Sequence, residues 1–198
     1  MLIVCVILAY LIGSISPSTL FGKWIAHIDI REHGSGNAGA TNTLRVLGPR
    51  VAVLVLLLDI LKGMLAIAIA WNVGHGGPWT TYLSGLAVIV GHNWPVFFGF
   101  RGGKGVATTI GVLLLTMPTP ALLAGLIAIA LVILTRIVSV GALVFAVLTP
   151  VFLVLLEPYR TGALLFSAVV AVMSIYRHRK NIERLLKGQE NRIFTKRF

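Results

Sequence analysis

The sequence predicts an all-α integral membrane protein with seven transmembrane helices, its N-terminus outside, its C-terminus cytoplasmic and some spans short. Three observations predict it. The 198 residues are 57% hydrophobic, with a mean hydropathy of +0.94, more apolar surface than a soluble domain of this size can use. The apolar residues fall into runs that approach the roughly 20 residues needed to cross a bilayer. Lys and Arg gather in alternate connections between those runs, as the positive-inside rule requires. One polytopic membrane domain, residues 1–198, is the organisation this implies.

The segments are Leu2 to Phe21, Val51 to Trp71, Tyr82 to Phe98, Val106 to Thr116, Ala121 to Leu134, Val140 to Leu156, and Gly162 to Tyr176. The first has no positive charge before it and its first cation after it, which reads as an N-out anchor and not a cleaved signal. The fourth and fifth are short, and "TMPTP", Thr116 to Pro120, breaks the helix between them. They form two spans or one hairpin that crosses in part. Connection 22–50 carries Lys23, Arg31, Arg45 and Arg50; 99–105 carries Arg101 and Lys104; 135–139 carries Arg136. Residues 72–81 and 117–120 carry no Lys or Arg, and Arg160 in 157–161 is offset by Glu157. Eight cations follow Tyr176. Loops one, three and five and the tail therefore face the cytoplasm. Ile182, Leu185 and Leu186 recur at helical spacing in that tail, as in a helix lying along the interface, and Gly188 is placed to end it.

The formal charge of +11 would point to nucleic acid in a soluble protein; here topology accounts for most of it, and no nucleic-acid partner is expected. Cys5 is the sole cysteine, so neither a disulfide framework nor a cysteine metal site is available.

The unusual polar sequence lies on the side assigned to the cytoplasm: "DIREHGSGNAGATNTLR", "GHNWPVF", "GFRGGKGVATT", "RIVSVG" and "RHRKNIERL". "GSGNAG" has the spacing of a dinucleotide fingerprint, but no strand precedes it and Asp59, the acidic residue at the right distance, lies inside an apolar run. "GGKG" lacks the first glycine of a P-loop, and Gly105 replaces its Ser or Thr. What remains is the physics both motifs share. Glycines admit an oxyanion close to backbone N–H groups, and a helix start favours negative charge. Gly102, Gly103 and Gly105, with Lys104 and a helix beginning near Val106, form one such candidate; Gly34 to Asn37 forms another.

Asp59 and Lys62 share a helix face. Each would cost roughly 2.5–3.5 kcal/mol facing lipid at a helix centre, so they turn inward, as an ion pair or as part of a site.

Together "GSGNAGATN", "DILKG", "GHNWPVFFGFRGGKGVAT" and "RHRKNIERLLKGQE" resemble the signature stretches of the bacterial acyl-phosphate:glycerol-3-phosphate acyltransferases, the PlsY family. The resemblance runs from Gly13 to the tail. Arg101 stands where Lys is more usual, and Ser16 precedes the proline of "GSISPS". The resemblance implies an inner-membrane, multi-pass enzyme whose active site faces the cytoplasm. It implies transfer of a fatty acyl group from acyl phosphate to the sn-1 hydroxyl of glycerol 3-phosphate, giving lysophosphatidic acid and phosphate. Neither acyl-CoA nor acyl carrier protein is the direct donor, and neither metal nor other cofactor is implied.

Both substrates carry phosphate, and one is anchored by an acyl chain, which suits two glycine loops at a membrane surface. Lys104 and Arg45 are the candidates for neutralising phosphate; Ser35, Gly36 and Asn37 for bonding acyl phosphate or the carbonyl oxyanion; Gly102 and Gly103 for backbone donors. His178 and Asn181 are candidates for binding glycerol 3-phosphate, with Ser139 behind them. Thr41, Asn42 and His92 are candidate supports. The soluble-type H-x4-D motif is absent, and His27/Glu32 and His178/Glu183 match it only with Glu. A substrate phosphate, with a second pKa near ~6, can itself accept the proton. The rival readings are a phosphate-ester transporter, against which no inverted repeat is visible, and a lipid-binding protein, which explains the basic tail but not the glycine loops.

Overall fold

The structure, a computed structural model, describes residues 1–75 and 77–193. Gly76 of the loop assigned to the outside, and Lys196 and Arg197 of the basic tail, lie outside the described residues. The described residues are helical without a β-strand, and they divide into two compact units, Met1–Thr116 and Met117–Phe198.

The first unit holds α1 (Leu2–Ser14), α2 (Pro17–Ala26), a 3-10 turn (Ile30–Glu32), α3 (Ala40–Val46), α4 (Pro49–Asn72), α5 (Pro78–Asn93), a second 3-10 turn (Val96–Phe98) and α6 (Val106–Thr116). The expected first span is broken: Ile15 and Ser16 are extended and Pro17 restarts the helix. Pro17 has no N–H, so the Gly13 carbonyl four residues earlier loses its helical donor. Small residues then let helices touch backbone to backbone. A Cβ on Gly13 or Gly91 would strike the Val88 or Tyr10 carbonyl, so α1 and α5 meet there. A Cβ on Gly63 or Gly111 would strike the Thr108 or Ile60 carbonyl, which joins α4 to α6 in the same way.

The second unit holds α7 (Pro118–Thr135), α8 (Val138–Leu156), α9 (Thr161–Arg177) and α10 (Arg179–Leu186). The tail does not simply continue the last helix: α9 and α10 meet at His178 with a bend of 61°. Gly188, at φ +66, takes the left-handed conformation that closes α10.

Among the described residues, four segments are long and apolar enough to cross a membrane: Leu2–Ala26, Pro49–Asn72, Pro118–Thr135 and Val138–Leu156. The bent pair α9–α10 makes up to five. At 11 residues, α6 is about 16 Å long, half of the hydrocarbon core. The apolar surface turns outward along these helices, with Leu54, Leu61, Leu126, Ile133 and Leu155 all exposed.

Candidate active site

Three elements of the first unit converge on the segment between α5 and α6. The first is the polar loop after α2. Asp29 accepts the Arg31 backbone N–H at 3.0 Å and caps the 3-10 turn. Its carboxylate also holds the Arg31 guanidinium, Nη2 to Oδ2 at 2.6 Å. The Arg31 side-chain hydrogen bond, above all, pulls the Asp29 pKa from 3.8 to about 2, against the opposing effect of burial. Arg31 Nη1 then donates to the Phe98 carbonyl at 2.6 Å and the Arg101 carbonyl at 3.2 Å. The side chain thus joins the first loop to the glycine loop.

Asn42, fully buried in α3, organises the second element. Its Nδ2 donates to the Ile30 and His33 carbonyls, both at 3.0 Å, and its Oδ1 accepts from Ser35 N at 2.7 Å and Ser35 Oγ at 3.1 Å. The 34–37 turn is therefore folded around one amide. Gly36 has φ +71 there, a conformation that favours glycine. Ser35 is exposed, but its hydroxyl proton is directed to Asn42, so donation to an anion requires it to turn. Asn37 and Thr41 are half-buried beside this turn in sequence, and Arg45 is exposed in the last turn of α3.

The third element is the end of α5. The Gly103 N–H donates to the His92 carbonyl at 3.1 Å. The expected backbone donor at Gly103 is thus already engaged, and what this glycine supplies is closeness. A Cβ there would meet His92 Nε2 and, at 2.5 Å, the Ala38 carbonyl; one on Gly102 would meet the His92 carbonyl. Lys104 is half-buried and α6 starts at Val106. Asn93 is 1% exposed, and neither polar atom of its amide has a hydrogen-bond partner among the described residues. Its Oδ1 lies 2.9 Å from where a Cβ on Gly105 would stand. An orphaned buried amide beside a loop of this kind needs a partner, and sequence reading passed over it inside "GHNWP".

Beneath the loop lies a buried polar cluster. Lys62 Nζ is 2.8 Å from Asp59 Oδ1 and donates to the carbonyls of Gly13 at 3.1 Å and Ile15 at 2.8 Å. It also lies 2.9 Å from His92 Nδ1, which is 3.3 Å from Asp59 Oδ1. The Asp59–Lys62 pair is therefore wired to the helix break and to the loop.

Within the second unit, Ser139 is buried at the start of α8, and its Oγ has no partner among the described residues. His178, 2% exposed, sits at the α9–α10 bend. A carbonyl only accepts, so the 2.8 Å contact between His178 Nδ1 and the Ser174 carbonyl places a proton on Nδ1. Asn181 Nδ2 donates to Glu190 Oε1 at 2.8 Å, and Arg184 holds the other oxygen of that carboxylate. Glu183 pairs with Lys187 at 2.7 Å on the exposed face of α10. Among the described residues no three His, Cys, Asp or Glu side chains cluster as metal ligands would.

These features define a multi-pass helical membrane protein with polar, glycine-rich loops ordered around buried Asn and His side chains. The family model for glycerol-3-phosphate acyltransferase matches residues 3–188, and the chain belongs to that family. It is 51% identical to the glycerol-3-phosphate acyltransferase of Halalkalibacterium halodurans over 97% of this chain and 95% of that one. It is 49% identical to that of Shouchella clausii over 98% and 97%. Among solved structures it is similar to the crystal structure of PlsY, an integral membrane glycerol 3-phosphate acyltransferase. The glycerol 3-phosphate form gives a TM-score of 0.90 at 41% identity, over 97% of this chain and 95% of that one. The lysophosphatidic acid form gives 0.87 at 41% identity, over 96% and 94%.

Proposed function

We propose that this chain acylates glycerol 3-phosphate at its sn-1 hydroxyl with acyl phosphate as donor, releasing lysophosphatidic acid and phosphate. The observation that carries the reading is the 102–105 segment. There a glycine is pressed onto His92 and Lys104 follows it, two residues before a helix start, in a chain half-identical to named glycerol-3-phosphate acyltransferases.

The hydroxyl oxygen attacks the carbonyl carbon of the acyl phosphate. A C–O ester bond forms as the bond to the phosphate oxygen breaks, and phosphate leaves with the electron pair. The hydroxyl proton passes to a phosphate oxygen of a substrate. The protein's task is to hold the hydroxyl in line and stabilise the carbonyl oxyanion and the leaving phosphate. Lys104 and Arg45 supply positive charge. Ser35 and Asn37, with Gly102, supply hydrogen bonds; the Gly36 N–H is already donated to the His33 carbonyl at 3.1 Å, so Gly36 shapes the turn instead. Asn42, Thr41, His92 and Gly103 hold these loops in shape. In the second unit His178 and Asn181, with Ser139, serve glycerol 3-phosphate. Neither acyl-CoA nor acyl carrier protein enters the reaction.

The enzyme sits in the bacterial inner membrane with seven transmembrane helices, some of them short; α6 is long enough for about half of the hydrocarbon core. Its N-terminus is outside, and its glycine loops and tail face the cytoplasm. The alternation of Lys and Arg between the loops supports this orientation.

Purified protein given acyl phosphate and glycerol 3-phosphate should form lysophosphatidic acid and inorganic phosphate in equal amounts, with neither substrate sufficient alone. Equal turnover with acyl-CoA would contradict the donor. Glycerol 3-phosphate uptake into vesicles without product would favour a transporter.

A further inference from the structure

Asp59 and Lys62, buried against His92, have no part in the reaction above, yet such a pair is expensive to place inside a membrane helix bundle. Side-chain exposure is 7% for Lys62, 2% for Asp59 and 6% for His92. An Asp–Lys pair alone would have met the need for neutrality. The arrangement does more.

An ammonium group has three N–H donors. Those of Lys62 have three hydrogen-bond acceptors: the Gly13 carbonyl, the Ile15 carbonyl and His92 Nδ1. Asp59 Oδ1 is near enough to balance the charge but accepts no aligned hydrogen bond. The two carbonyls are those that the break at Pro17 leaves over. The third acceptor is decisive. If Nδ1 accepts from Lys62, a neutral His92 carries its proton on Nε2. That is the ring nitrogen lying against Gly103, while the backbone carbonyl of the same residue takes the Gly103 N–H.

We infer that Lys62 is a positioning residue for acyl transfer: it anchors His92 through Nδ1, fixes its Nε2–H tautomer and orientation, and so holds the Gly102–Gly105 loop that carries Lys104. The inference rests on the proposed reaction for its kinetic consequence, but its structural core, the tautomer, is readable without turnover. Deleting the ammonium while keeping the length, in Lys62→Met, leaves Asp59 Oδ1 3.3 Å from Nδ1, close enough to accept from it. The ring should then protonate Nδ1 to donate to that carboxylate, and Nε2 should become bare.

The test is nitrogen NMR of histidine-labelled protein in detergent, with the His92 signals assigned by their loss in His92→Gln. Wild type should show the Nε2–H form at position 92 and Lys62→Met the Nδ1–H form. In parallel, kcat should fall by about tenfold or more while the KM for glycerol 3-phosphate moves by less than about threefold, since loop order serves the transition state. Should Lys62→Met fail to fold because it strands a carboxylate, the double variant Asp59→Asn/Lys62→Met removes that charge. Its amide N–H can donate to Nδ1, so the Nε2–H form and part of kcat should return. An unchanged tautomer with near-wild-type kcat in Lys62→Met would overturn the inference. So would a folded double variant that shows the Nε2–H form without any recovery over Lys62→Met or, where that variant does not fold, over Lys62→Ala. Absence of turnover in wild type with the expected tautomers would instead count against the proposed reaction.

Discussion

Arg31 donates through Nη1 to the carbonyl of Phe98, at 2.6 Å, across 67 positions of sequence. It is oriented for this by Asp29, which grips the other edge of the guanidinium. Planar guanidinium serves both partners at once, whereas lysine is a point charge. Arg31→Ala should therefore unhook the first polar loop from the turn before Gly102. Loss of a charge-assisted hydrogen bond costs about 1.5–3 kcal/mol, so kcat/KM should fall by about tenfold or more, and Arg31→Lys should restore little. Wild-type kinetics in Arg31→Ala would sever this link.

The same pair gives a pH signature. The Asp29 carboxyl is held at about 2, below its ordinary 3.8, by hydrogen bonding to Arg31 first of all. A depressed folded-state pKa means that its stabilisation is present in full above 3.8 and fades as pH falls from there through about 2. Thermal denaturation of wild type and Asp29→Asn should show a gap that is constant above that window and closes within it. A gap that widens on acidification would reverse the sign.

Asn42 is the residue on which the Gly34–Asn37 turn is folded. Asn42→Ala strips two carbonyls of their donor and two Ser35 groups of their acceptor. Each buried group left unsatisfied costs about 1–3 kcal/mol, so both the melting temperature and activity should drop clearly. Asn42→Asp keeps the acceptor for Ser35 but sets a carboxylate against two carbonyls, and should be no better. Retention of both stability and activity in either variant would remove Asn42 from this role.

Orientation is open to cysteine labelling on a Cys5→Ala background. Single cysteines at positions 104 and 187 should resist an impermeant reagent in intact cells and react after permeabilisation, while one at position 79 should react from outside. Labelling of position 104 from outside would invert the topology.

His178 donates its Nδ1 proton to the Ser174 carbonyl at 2.8 Å. If a substrate phosphate takes the hydroxyl proton, His178 binds and does not act as base. His178→Asn should then raise the KM for glycerol 3-phosphate more than it lowers kcat, and kcat/KM should still rise with the phosphate dianion near pH ~6. A loss of kcat by about 10²–10⁴-fold at unchanged KM, with the pH profile flattened, would make His178 the general base.

Much of the helical fold was legible because its causes are local. Gly188 ends a helix and Val106 begins one after the last glycine of a loop, as expected, whereas Pro49, Pro78 and Pro118 begin helices slightly ahead of the expected Val51, Tyr82 and Ala121. The break before Pro17 was also written locally, yet the first span reads as continuous because the apolar run hides a two-residue gap. The clusters are less legible because their partners are far apart in sequence. Helical spacing pairs Asp59 with Lys62, but nothing near them names Gly13, Ile15 or His92 as further partners. Arg31 reads as a topological charge until Phe98 and Arg101 stand beside it. Asn93 gave no signal at all, since its meaning lies in having no partner.

If the 102–105 loop brings charge to a phosphate during acyl transfer, as proposed, Lys104 is the residue whose loss shows it most directly. The measurement is inorganic phosphate release from acyl phosphate in the presence of glycerol 3-phosphate, for purified wild type, Lys104→Ala and Lys104→Arg of equal melting temperature. Lys104→Ala should lose nearly all turnover, and Lys104→Arg should remain poor, because a wide fork does not replace a compact ammonium between glycines. Phosphate release by Lys104→Ala at close to the wild-type rate would remove this loop from the reaction.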